Sequence, residues 1–167
     1  MSGIYQYSVP VFSVMLKNLS QVLEQGEASA AERKIDPQVF LNGRLAPDML
    51  RLVSQVQIAI DNAKGAASRL AGIAVPSWPD QENSFADLQA KITKARDYLK
   101  SFDAKQFEGA EDRVIQLKVG SMELNFKGID YLNKFAMPNF QFHTTMAYAI
   151  LRHNGVPLGK RVYLGGA

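Results

Sequence analysis

Two polar residues, Asn139 and His143, interrupt an apolar helical stripe late in this 167-residue chain. At about 100° per residue, a spacing of four puts both side chains on one helix face. That face points inward, among Leu132, Phe135, Met146 and Ile150. Buried polar groups need partners. An earlier helical segment offers Gln55, Gln57 and Asp61 at the edges of its own apolar face. The functional reading is a small ligand-binding pocket built from His143, Asn139, Gln57, Gln55 and Asp61. The structural reading is a hydrogen-bond network that satisfies one core histidine.

Neutral imidazole is the commonest transition-metal ligand, but an ion needs several ligands in matched geometry. The second histidine, His153, lies ten residues on, about 15 Å of helical rise away. The two therefore cannot share an ion within one chain. A histidine with one or two amide oxygens makes a poor zinc site. No metal or other cofactor is expected, and a weakly held divalent ion on His143 is the alternative. Other chemistry lacks its residues: there is no phosphate-cradling glycine loop, Gly-x-Ser-x-Gly elbow or His-Glu-x-x-His pair. Thr144 and Thr145 fall sideways to the His143 face, and Glu111-Asp112 reads as a solvated loop. Trp78, between Pro76 and Pro79, reads as an interhelix plug, with a pocket lid or partner contact as its functional counterpart.

Zero cysteines exclude disulfides, thiolate metal sites and cysteine nucleophiles. The +3 net charge is mild and its Lys and Arg are scattered, so no nucleic-acid partner is expected. No apolar run approaches the ~18 residues of a membrane span, and no charged start leads into a signal-type core. The expectation is a cytoplasmic protein with no membrane partner. Its length and 47% hydrophobic content suit one domain, residues 1–167.

The elements that must position these residues follow from periodicity. A first helix opens at Ser8 with Pro10 in its first turn, and Phe12, Met15, Leu16, Leu19, Val22 and Leu23 form its stripe. A second starts near Ala46-Pro47-Asp48, carries Leu52, Val53, Val56, Ile60, Ala63, Ala67 and Leu70, and ends at Gly72. A third opens at Ser84, with Phe85, Leu88, Ile92, Ala95 and Leu99 at helical spacing. The period then changes to two. Ile115, Leu117 and Val119 alternate with polar residues, as do Met122, Leu124 and Phe126, around a Gly120-Ser121 type II′ turn. A lone hairpin is marginal in water, so its apolar face must cover the helices. The fourth helix spans about Ile129 to Asn154, with Leu132, Phe135, Phe142, Met146, Ala149 and Ile150 as its stripe and a kink at Pro138. The tail from Leu158 to Ala167 reads as loose surface chain. These elements make an all-α four-helix bundle with one inserted hairpin.

The stretch from Asn139 to Val156 resembles the last core helix of the DinB/YfiT-like superfamily. Members carry His-x-x-x-His there, followed nine residues on by an Arg and then a Gly-Val-type exit. Arg152 and Gly155-Val156 keep that register, His143 matches the second histidine, and Asn139 stands at the first. The remaining family histidine falls in the region of Gln55 or Gln57. Tyr5-Gln-Tyr-Ser-Val-Pro10-Val-Phe12, Leu45-Ala-Pro47-Asp-Met49, Gln55-Val-Gln57-Ile and Phe135-Ala-Met-Pro138-Asn139-Phe are similar to an uncharacterised bacterial branch known only as a domain of unknown function. The resemblance implies a bundle in up-down-down-up order, and it extends to metal-dependent thiol transferases and isomerases, many of them homodimers. With two of three ligands replaced, it implies a homodimeric, non-catalytic or small-molecule-binding protein with a degenerate metal site. The alternative is a weakly metal-dependent transferase or isomerase-type enzyme.

Overall fold

The apolar stripe that opens the chain folds as one helix, α2 (Val9–Glu32), behind a single turn, α1 (Gly3–Gln6). The computed structural model describes residues 3–166, and for Val119 the backbone alone. Ser8 occupies the N-cap of α2, yet its hydroxyl donates to the Ile4 carbonyl (2.5 Å) instead of accepting from the first turn. The preceding α1 turn supplies that nearer acceptor. A short α3 (Pro37–Leu41) follows, with the Asp36 carboxylate accepting from the Gln38 N–H at 2.9 Å.

The next helix, α4 (Leu52–Ala71), begins later than Ala46-Pro47-Asp48 suggests. Arg44 donates to the Met49 carbonyl and holds residues 46–50 in a turn, and Arg51, extended, donates to Asn42 Oδ1 at 2.7 Å. The Ser84 signal is realised in α5 (Phe85–Lys100). Ser84 Oγ accepts from the Asp87 N–H, and the Asp87 carboxylate accepts from the Asn83 N–H, both at 3.1 Å. A 3-10 turn, Ala104–Phe107, leads to the hairpin.

Strands β1 (Val114–Val119) and β2 (Met122–Lys127) pair antiparallel in the expected register, Ile115 opposite Phe126 and Leu117 opposite Leu124. Gly120, with φ of 59°, supplies the positive φ at the first turn position that type II′ needs. Ile115 is buried and Leu117 half-buried; the side chain of Val119, assigned to the same face, and Ala167 lie outside the described residues. Phe126 closes the hairpin onto Tyr131 and Phe135, with ring centroids 6.1 and 5.7 Å away.

The last long helical run is divided rather than kinked: α6 (Gly128–Tyr131), a π-helical segment (Leu132–Ala136) and α7 (Met137–His153). Pro138 has no N–H for the Lys134 carbonyl and its ring crowds that oxygen, and the wider turn just before it relieves the clash. The π segment also shifts the phase of everything downstream. Phe140, His143, Thr144, Ala147, Ile150 and Leu151 are buried, whereas Phe142, expected in the stripe, is 50% exposed.

The core lies where α4 packs on α7 and α5, and α2 on α5. Ala59, Ala63, Ala66 and Ala67 of α4 are fully buried, letting its neighbours approach closely. Phe12 and Phe140 meet edge-to-face at 5.0 Å, and Ser20 donates to Gln89 Oε1 at 2.5 Å. The tail is not loose. Leu158 is buried, and α8 (Lys160–Tyr163) lies on α2, where Asn18 Nδ2 donates to the Tyr163 carbonyl at 3.1 Å. The Tyr163 hydroxyl sits 3.1 Å from both Thr144 and Thr145 hydroxyls. Those polar anchors and the Tyr148–Tyr163 edge contact (5.9 Å) hold a segment whose sequence alone carries little apolar signal. Among the described residues, no helix is long and apolar enough to cross a membrane.

Candidate functional site

Helix α4 carries two polar lines. Gln55 and Asn62, seven residues apart, fall on one side; Gln57, Asp61 and Lys64, at spacings of four and three, fall on another. Gln55 and Gln57 differ by two residues, about 200° around the axis, so they cannot serve the same pocket.

The first line meets α7. His143 is 9% exposed, and its Nδ1 lies 2.7 Å from Gln55 Oε1. The Gln55 amide nitrogen donates to the Leu50 carbonyl at 3.2 Å, which turns the amide oxygen toward the ring. Nδ1 therefore carries the proton and donates, and Nε2 keeps its lone pair. No described residue partners Nε2. Burial lowers the His143 pKa below 6.5, so the ring is neutral at pH 7. One turn away, half-buried Asn139 donates to Asn62 Oδ1 at 3.0 Å. Thr144 and Thr145 turn to Tyr163, so neither hydroxyl serves as a nucleophile beside the imidazole.

The second line faces α5 and the connection of residues 72–84. Gln57 donates to Glu82 Oε2 at 2.8 Å, and Lys91 reaches the same oxygen at 2.9 Å. Lys91 Nζ also contacts Asp80 Oδ1 at 2.5 Å and the Pro79 carbonyl at 3.1 Å. Burial by itself lowers the Lys91 pKa, but the hydrogen bonds it donates to Asp80 and Glu82, with their negative charges, outweigh burial and the net shift is upward from 10.5. Asp61 pairs with buried Lys64 at 2.6 Å. Gln57 and Asp61, expected beside His143, thus belong to a separate cluster. Its centre is Trp78, half-buried, with Lys64 and Lys94 each 4.6 Å from its ring centroid and Tyr98 edge-on at 5.7 Å. A cavity of about 410 Å³ touches Trp78, Glu82, Lys91 and Lys94, and another of about 240 Å³ touches Trp78, Asp61, Lys64 and Arg69.

Asn62, Glu82 and Lys91 were not singled out from the sequence. Asn62 carried a readable signal, its two-turn spacing from Gln55. Glu82 and Lys91 carried none, because a loop carboxylate and a helix-surface lysine look solvated until the loop folds over them.

Members of the superfamily that the chain resembles carry histidines at these positions, some of them metal-dependent, and the residues here do not fit an ion. Gln55 spends its oxygen on Nδ1 and the Asn139 amide is bonded to Asn62, leaving the imidazole as sole strong donor. Among the described residues, no group of three or more His, Asp or Glu is placed to hold an ion.

The model of one protein family, described as a domain of unknown function (DUF1993), matches residues 4–164. Among solved structures, the crystal structure of a DinB family member protein from Shewanella denitrificans is similar over 98% of this chain and 92% of that chain. The two are 40% identical, with a TM-score of 0.89. No curated protein matches the chain.

Proposed function

The chain belongs to the DUF1993 family, with a DinB family relative of the same fold, and from that premise we propose that it is a non-catalytic, small-molecule-binding protein with a degenerate metal site. On this reading one domain forms a four-helix bundle in up-down-down-up order. Residue pairs support the order. Tyr5, in the turn ahead of α2, meets Phe102, just past α5, and Ser20 meets Gln89, which together run α2 against α5. Ser68 with Tyr98, one end further on than the Gln57–Glu82–Lys91 group, runs α4 along α5. Gln55 with His143 and Asn62 with Asn139 run α4 against α7.

The observation that carries the binding role is the Gln55-anchored imidazole. Its Nε2 is an acceptor without a partner among the described residues, and the exposed Phe142 ring lies 5.3 Å from the imidazole, with Leu50, whose carbonyl holds Gln55, also exposed. A ligand offering one donor and an apolar body suits that surface; Asn139 contributes a further polar group. The exposed Phe142 and Leu50 also support a homodimer, which solution mass measures directly.

Metal analysis of purified protein tests the reading. The expected result is less than stoichiometric metal, with compounds that raise the melting temperature losing their effect in His143→Gln. Stoichiometric zinc, nickel or manganese, absent from His143→Ala, would replace it with the metal-dependent enzyme.

A further inference from the structure

We propose that the cavity of about 240 Å³ between α4 and the 72–84 connection binds a small planar organic anion, its carboxylate received by Arg69 and its apolar body resting on Trp78 and Val75. Arg69 continues the side of α4 that carries Gln55 and Asn62, but it lies two turns beyond Asn62, about 10 Å further along the axis from the His143 seam.

The charges lining the cavity are Asp61, Lys64 and Arg69, and two of them cancel. Asp61 lies 2.6 Å from Lys64 Nζ, and Lys64 is also stacked on the Trp78 ring. Arg69 remains. The residue is half-buried, and the partner described for its side chain is a phenol rather than a carboxylate. Its one described hydrogen bond, 3.4 Å to the Tyr131 hydroxyl, is long. Tyr131 does not serve as counter-ion. Burial raises its pKa above 10.0, Arg69 opposing only in part, so the phenol stays protonated. A partly desolvated guanidinium with open donors matches a carboxylate fork to fork.

An independent feature concerns Gly65. A glycine within a helix weakens it and calls for a packing reason. Here a Cβ at position 65 would collide with Arg69 Nη1, so the missing side chain is what lets the guanidinium lie along α4 at the cavity. The neighbouring cavity lacks such a surplus, since Lys91 and Lys94 stand with Glu82 and Asp87. Size narrows the class. A volume of 240 Å³ falls below the roughly 300–1,000 Å³ of drug-sized clefts, which leaves room for a monocyclic acid. Ser77 adds a hydroxyl to the lining, and Val75 and Trp78 an apolar wall.

Trp78 is the chain's sole tryptophan, so its fluorescence reports on this cavity. The full chain is titrated with benzoate, benzyl alcohol, benzyltrimethylammonium and inorganic phosphate. Benzoate is expected to give a saturable change that weakens with added salt, and the other three none of comparable affinity. Arg69→Met should weaken benzoate about tenfold or more, one charge-assisted bidentate contact being lost. Gly65→Ala, which displaces the guanidinium while favouring the helix, should weaken it as well and so separates lost binding from lost folding. His143→Ala should leave the response intact, keeping this site distinct from the proposed role of the α4–α7 seam. No saturable response to benzoate, equal binding of the cation, alcohol or phosphate, an unchanged affinity in Arg69→Met, or a response lost in His143→Ala would each overturn the proposal.

Discussion

The imidazole of His143 is neutral because it is buried against a carboxamide rather than a carboxylate, and that fixes how stability responds to protons. Its folded pKa lies below the unfolded value of about 6.5, so below that value the unfolded chain binds the proton more readily. Stability is full above about pH 6.5 and falls as pH drops toward the folded pKa. Urea midpoints at about pH 7.5 and about pH 5 should differ more in the wild type than in His143→Gln. Truncating the partner is a second check. Gln55→Ala leaves the Nδ1–H buried without an acceptor and should cost about 1–3 kcal/mol in chemical denaturation. The inward pair of Asn139 and His143 was legible from spacing alone. Its partner was not, because Gln55 and Gln57 look alike in sequence while their side chains diverge by more than half a turn of α4.

At the scale of elements, the hairpin is anchored most firmly at Ile115. This side chain is 3% exposed whereas Leu117 is only half-buried. Ile115→Ala should therefore lower the unfolding free energy by about 2–5 kcal/mol, and Leu117→Ala by about 1 kcal/mol, in matched urea titrations. Period-two alternation and the Gly120-Ser121 turn specified this hairpin to the residue, since its register depends on local chemistry. The helix bearing His143 was less transparent. Proline at 138 signalled a disturbance, but whether a helix kinks there or widens into a π turn depends on what packs around it. That choice moved the stripe, burying Phe140 and exposing Phe142. Helix α4 misled in a similar way. Pro47 and Asp48 are start signals, yet the Arg44 and Arg51 hydrogen bonds defer the helix to Leu52.

For the molecule as a whole, Lys91 stitches the long connection of residues 72–84 to α5. Its side chain is 5% exposed and its ammonium contacts Asp80, Glu82 and the Pro79 carbonyl. Lys91→Ala strands the Glu82 carboxylate, itself only 12% exposed, and should cost about 3 kcal/mol. Because the folded Lys91 pKa is raised, its contribution holds below about pH 10.5 and is lost as pH climbs through the folded value. A Lys91→Ala protein should accordingly lose less stability than wild type on going alkaline. Apolar stripes made the helical class readable in advance, but loops closing over polar groups leave no periodic trace. The C-terminal strap has a practical corollary. Asn18, 4% exposed, relies on the Tyr163 carbonyl, and Thr144 and Thr145 on its phenol. Clipping the chain ahead of Leu158 would strip these anchors at once, so an affinity handle fused to that end belongs beyond Gly166, on a spacer that leaves the final turn seated.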